Sequence, residues 1–307
     1  MGDISELSNF KNIITHFSSI KSNMTDIQGQ IHTGKSISSM AQLAKVGKAE
    51  ILLSLQSDSS KYDGYYKTCE DSLMRIESIT KQLDMLTEIA QNLSSELTLL
   101  NSSSESAMNY ETIAVNTLRQ IENILNTTFD NKYIFSGNSP FDPPVEPGYI
   151  VDNSNVVDGN VTNNYYQGGL NNTVAVVGDN YPISYGITAD NEAFQNLIAA
   201  VHMARQAVAN TGNQEKQALK NKAIEFISNA TKKLSQLTSG VGNSQLAIER
   251  QVEILEQTTN YVNDNIDNIQ SADVVEAMIL YHEYLNMMQA TIKVTTMLNG
   301  KHLQDYL

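Results

Sequence analysis

The chain has 307 residues, enough for two ordinary domains with a sizeable core. Its formal charge of −14 and pI near 4.7 exclude nucleic acid and anionic membrane as expected partners, and its single Cys69 excludes an internal disulfide. No stretch reaches the ~18 uninterrupted apolar residues of a membrane span, and the opening MGDISELSNFKNII lacks a basic start followed by an apolar run, so a cleaved signal peptide is not expected.

The first predicted element is a helix. Phe10, Ile13, Phe17, Ile20, Met24, Ile27 and Ile31 recur at alternating spacings of three and four, which is a heptad seam. The seam runs into GQIHTGKS at 29–36, which spells the phosphate-binding loop of nucleotide hydrolases. Such a loop needs a strand before it and a helix after it, so that backbone N–H groups converge on the phosphates. Here a helix precedes it. Gly29 is predicted inside the last helical turns, and Gly34 falls where a C-cap glycine belongs.

A second seam runs through Tyr62, Tyr65, Cys69, Ser72, Ile76, Ile79, Leu83, Leu86, Ala90, Leu93, Leu97 and Leu100, predicting one long helix, followed by a shorter one from about Tyr110 to Thr128. All five prolines (Pro140, Pro143, Pro144, Pro147 and Pro182) then fall in the segment 131–192, together with many glycines and β-prone runs at 149–151, 164–166, 173–177 and 181–185. That segment is predicted to be a β-rich insert projecting outward, and its acids, Asp142, Glu146, Asp152, Asp158, Asp179, Asp190 and Glu192, to form a solvated face. The DNSNVVDGN spacing around Asp152 and Asp158 misses the calcium loop of an EF-hand.

Helical pattern returns at Phe194, Leu197 and Val201, continues through Ala223, Ile227, Ala230, Leu234 and Leu237, and resumes after a predicted turn at Gly240 and Gly242 with Ile248, Val252, Leu255, Thr259, Val262, Ile266 and Ile269. From Ser271 onward the polar residues His282, Asn286, Gln289, Lys293 and Thr296 form one narrow stripe among apolar ones, so the last helix needs cover on more than one side. The fold class is therefore mainly α: a long antiparallel, coiled-coil-like helical bundle formed by both chain ends, with a small β-rich inserted domain. Its parts are expected at 1–40 plus 271–307 (terminal helices, the assembly core), 41–130 plus 193–270 (helical bundle) and 131–192 (insert).

Catalytic chemistry finds no support. YHEYLNM at 281–287 begins like a zinc-protease helix but places Asn286 where a second His is required, and GVGNS at 240–244 lacks the third glycine of a dinucleotide fingerprint. His16, His32, His202, His282 and His302 are scattered and read as helix-surface or loop residues, while Cys69 reads as a buried small hydrophobe. No enzyme, no cofactor and no metal is expected. Two weakly charged terminal helices leave apolar surface that other subunits would cover; the interface residues expected are Phe10, Ile13, Phe17, Ile20, Ile27, Leu280, Tyr284, Met288, Val294 and Leu298. In an isolated subunit the helices around 7–31 and 274–299 are expected to be partly disordered.

On these residues the chain resembles the flagellin superfamily, and within it the proteins that join hook to filament. Thr33, Gly34 and Lys35 match a Ser/Thr–Gly–Lys pattern after the first helix; NKYIFSGN at 131–138 resembles the segment where junction proteins leave their first arm. NNYYQGG and the stretch to IAAV, with Tyr166, Gln167, Gly168, Asn191, Phe194 and Leu197, resemble the insert and return helix. The close is similar through Asp273, Glu276, Gln289, Ala290 and Leu303 to Leu307. The chain departs from the family with SSMAQLAK at 38–45, where an Asp-Asp-Pro is common. The resemblance implies a structural adaptor between the hook-side junction protein and the flagellin filament, with flagellin itself as the alternative; a chemoreceptor-like coiled coil fits less well, having a membrane span and no β insert. It implies export without signal cleavage to the extracellular flagellum, and as partners other copies in a ring, the adjacent junction protein, flagellin and an export chaperone, with no nucleic acid and no membrane.

Overall fold

The computed structural model describes residues 2–35, 47–99, 104–152, 156–157, 160–161, 165–210 and 212–304, with side chains for 11–35, 47–98, 110–152, 165–210 and 212–296. In order these form α1 (Gly2–Thr33), α2 (Ala49–Leu99), α3 (Ser104–Leu125), β1 (Thr128–Phe129), β2 (Lys132–Tyr133), β3 (Val156–Val157), β4 (Asn160–Val161), β5 (Val174–Val176), β6 (Pro182–Ser184), α4 (Glu192–Ala209), α5 (Asn213–Gln270) and α6 (Val274–Gln304). Consecutive strands pair as antiparallel hairpins, β1–β2, β3–β4 and β5–β6. The fold is mainly helical, with a small β-bearing insert and helices from both chain ends packed together. Among the described residues no helix is long and apolar enough to cross a membrane. The connection at 38–45 and Asp158 lie outside them.

The chain divides into two units, Met1–Lys61 with Thr258–Leu307, and Tyr62–Gln257. In the second, the predicted seam of α2 becomes its inner face: Ile76, Ile79, Leu83, Leu86 and Ala90 are wholly buried. They share one core with Ala114, Leu118, Ile121 and Leu125 of α3 and with Ala223, Ile227, Ala230, Leu234, Ile248 and Leu255 of α5. Full burial of such a side chain contributes about 1.5–3 kcal/mol. Helix α4 begins at Asn191, whose side-chain oxygen accepts from the Ala193 N–H at 3.0 Å, and its alanines Ala193, Ala199, Ala200, Ala204 and Ala207 let it pack close to α3.

Several expectations are corrected. The turn expected at Gly240 and Gly242 is absent: α5 runs through both as one helix of 58 residues. Each glycine costs a helix about 1 kcal/mol, but Val241 between them and Ile248, two turns further on the same face, are buried and hold the helix in place. Helix α2 begins at Ala49, well before the expected Tyr62, because the polar run QSDSSKYDG hides a helical segment anchored by the buried Leu52. His202 is not a surface residue; it is fully buried on α4 and its Nε2 bonds the Ile150 carbonyl oxygen at 2.8 Å. The run 149–151 is turn, and Tyr166 forms an isolated bridge to Val145 rather than part of a strand, whereas 173–177 and 181–185 hold β5 and β6. The insert also gives more to the core than an outlying domain would, since Phe135, Val145, Ile150, Tyr165 and Val177 are buried with the helices. Phe135 meets Phe194 of α4 edge-on, ring centres 5.7 Å apart.

Candidate assembly surface

The first unit is built around α1 and α6. Helix α1 ends as the GQIHTGKS spacing predicts for a helix terminus: Gly29 is helical, and Gly34 at φ +68° donates its N–H to the Gln30 carbonyl at 2.8 Å. That left-handed conformation suits glycine, and it turns the chain so that Lys35 bridges Ser271 and Ala272 donates to the Gly34 carbonyl at 2.9 Å. The Thr33 hydroxyl donates to the Gly29 carbonyl at 2.7 Å and accepts from the Lys35 N–H. Helix α6 then starts on Asp273, whose carboxylate accepts from the N–H groups of Val275 and Glu276.

Between the two helices lie Ile20, Met24 and Ile27 of α1 and Ala277 of α6, all buried. Asn23 donates to the Tyr284 hydroxyl at 3.2 Å and Gln28 to the Tyr281 hydroxyl at 2.9 Å. These cross-links were not legible in the sequence, where Asn23 and Gln28 only border the seam. The sequence-expected interface residues separate into three groups. Ile20 and Ile27 are consumed in the α1–α6 contact; Ile13, Phe17, Tyr284 and Met288 are half-buried; Leu280 and Val294 are exposed. The side chains of Phe10 and Leu298 lie outside the described residues.

One partner helix does not cover α6. Met278, Ile279, Met287, Ile292 and Val294 are 47–57% exposed, on a helix whose polar stripe from His282 to Thr296 is exposed as well. Ile14 of α1, which lies beside the seam, is 54% exposed. Two shallow apolar grooves open where α1 meets α6: one of about 400 Å³ is lined by Ile13, His16, Ala290 and Val294, and one of about 240 Å³ by Ile14, Phe17, Ile292 and Thr295. Apolar area of this kind is what a subunit interface consumes.

In the second unit, the two sequence motifs of the insert meet. Gly169 donates its N–H to the Ser136 carbonyl at 2.8 Å, and Asn171 approaches the Asn138 side chain. A side chain at Gly137, where φ is +61°, would strike the Gly169 and Asn171 carbonyl oxygens, and one at Gly169 would strike Asn138. NKYIFSGN and YYQGG are thus two sides of one backbone contact that requires glycine.

A family model of the bacterial flagellin N-terminal helical region matches residues 4–139, and one of the bacterial flagellin C-terminal helical region matches residues 224–307. Together they span well over half of the chain. The chain belongs to the bacterial flagellin family. It is a flagellar structural protein, and the α1–α6 pair lies within the regions that the two flagellin models describe. Among solved structures, a chain described as a flagellar hook-associated protein from Vibrio parahaemolyticus shares its fold at TM-score 0.61, with 13% identity over 72% of this chain and 96% of the other. Bacillus cereus FlgL aligns at TM-score 0.40 with 17% identity, over 72% of this chain and all of that one. No curated protein matches the chain.

Proposed function

We propose that this flagellin-family protein is a junction adaptor: it forms a ring at the distal end of the hook, between the hook-side junction protein and the flagellin filament. The observation that carries the assembly part is the uncovered apolar surface of α6, with Leu280, Met287, Ile292 and Val294 exposed beside grooves that α1 helps to line. The interface residues are Ile13, Phe17, Leu280, Tyr284, Met288 and Val294, joined by Phe10 and Leu298 at the helix ends; Ile20 and Ile27 hold the pair itself together. The junction role is supported by the NKYIFSGN and YYQGG contact, which matches the resemblance to junction proteins rather than to filament subunits. Export without signal cleavage, with a chaperone shielding the terminal helices, belongs to the same reading, and so does the absence of catalytic work.

The test is genetic and structural. In a flagellated host lacking its own copy, the full chain should restore filaments, while a chain missing residues 1–31 or 274–307 should leave hooks intact and flagellin shed into the medium. Normal filaments from either truncated chain would defeat the assignment. Long filaments polymerised from the purified chain alone would instead assign it as a filament subunit.

A further inference from the structure

The unit Tyr62–Gln257 buries a cation that forms no ion pair among the described residues. Arg75 of α2 is 9% exposed; its Nη2 donates to the Tyr133 carbonyl oxygen at 2.8 Å, while its Nε is buried with no partner. Among the described residues no carboxylate forms an ion pair with it. A guanidinium cannot shed its charge, and a charge taken out of water is tolerated best when an anion faces it.

Against Arg75 lies a cavity of about 460 Å³, within the size range of ligand pockets. Lys132 shares its wall and also lacks an ion-pair partner among the described residues. Its position is fixed by the hairpin: Phe129 pairs with Lys132 across a two-residue turn in which Asp130 and Asn131 have φ of 51° and 57°, the geometry that closes a tight hairpin. The hydroxyls of Ser72 and Thr68 already donate to the Thr68 and Gly64 carbonyls. The cavity therefore offers cationic donors over an apolar wall of Phe129, Val174 and Ala175. Asp71 and Asp130, exposed at the same wall, pair with neither cation and disfavour a doubly charged anion.

We propose that this cavity is a receptor for a carboxylate group, held by Arg75 and Lys132. A planar monoanion with two acceptor oxygens suits the guanidinium fork. Its source is a free small carboxylate or an acidic side chain of a second copy of this chain, which has 34 acids against 20 bases. The inference rests on nothing in the flagellar reading.

The test follows the Arg75 Nε–H resonance in the full ¹⁵N-labelled chain by NMR. In one series acetate replaces chloride at constant ionic strength; in the other, protein concentration rises with no carboxylate added. The resonance should shift saturably with acetate while those of Arg119 and Arg250 stay still, and Lys132→Gln should weaken the response roughly two- to fivefold. A matching shift in the concentration series, whether or not acetate also acts, places the carboxylate on a second copy; a shift with acetate alone assigns a small-molecule site. An Arg75 resonance unmoved in both series, moving in step with the other arginines, or indifferent to Lys132→Gln, overturns the proposal.

Discussion

The hydroxyl of Tyr165 donates to the carbonyl oxygen of Ala189 at 2.7 Å, and both residues are wholly buried. The Ala189 N–H in turn donates to the Phe135 carbonyl at 2.9 Å, so one buried chain of bonds ties the insert to the segment that starts α4. Burial pushes the Tyr165 phenol well above its ordinary range, which keeps it a donor at every working pH. Tyr165→Phe leaves the Ala189 oxygen without its partner, and is expected to lower stability by about 1–3 kcal/mol in chemical denaturation. An unchanged midpoint would remove the bond from the account of the core.

Leu83 and Leu255 are 0% and 3% exposed and belong to the same core. Each changed to Ala is expected to cost about 2–5 kcal/mol. Thermal unfolding of both variants measures this, and two unaltered transitions would refute a shared core between α2 and α5.

The glycines inside α5 predict a gain. A methyl group at Gly240 would meet nothing within 4 Å, so Gly240→Ala adds helix propensity without a clash. Stability is expected to rise by about 0.5–1 kcal/mol. A loss would mean that α5 uses that position for a bend.

His202 supplies a pH dependence. Burial holds its imidazole below the ordinary value of 6.5, against the opposing bond to Ile150, with Arg205 also lowering it and Asp152 and Glu111 raising it. The unfolded chain therefore binds the proton at a pH where the folded chain does not, and stability falls as pH drops below 6.5 toward the depressed folded value. His202→Gln is expected to flatten that part of the stability profile, as read by denaturation between neutral and mildly acid pH. A profile of unchanged slope would rule out His202 as its source.

For the terminal helices, hydrogen exchange on a strictly monomeric sample is expected to show weak protection over residues 11–31 and 274–296 and strong protection over Ile76–Leu97. Ordering backbone costs about 1–2 kcal/mol per residue, and among the described residues the packing of α6 is chiefly against α1, which leaves much of its apolar surface uncovered. Assembly should raise protection in both terminal stretches. Equal, strong protection in the monomer would contradict ordering on assembly.

How much of this was legible follows from what each signal depends on. The α2 seam from Cys69 to Leu97 was readable because a heptad spacing reports which face is buried whatever covers it. The end of α1 was readable because Gly34 satisfies a local backbone need. By contrast, the buried His202 and Arg75 bond to carbonyl oxygens of Ile150 and Tyr133, far along the chain, and no local pattern announces such partners. Gly240 and Gly242 misled because their propensity is local, whereas the packing of Val241 is not. On the assembly surface, the seam separated core from flank in α1, yet it could not say that Ile20 and Ile27 would be used within the pair while Leu280 and Val294 stayed outside.

The contact between Gly34 and Ala272 joins residues near opposite ends of the sequence. Closing a loop costs free energy that grows only with the logarithm of its length, so doubling the intervening chain would add about 0.6 kcal/mol. The middle of such a molecule can therefore gain or lose whole segments with little penalty to the pairing of α1 with α6. For that pairing, length variation in the middle of the chain is thermodynamically cheap, while Gly34, Asp273 and the residues between the two helices carry the geometric constraint.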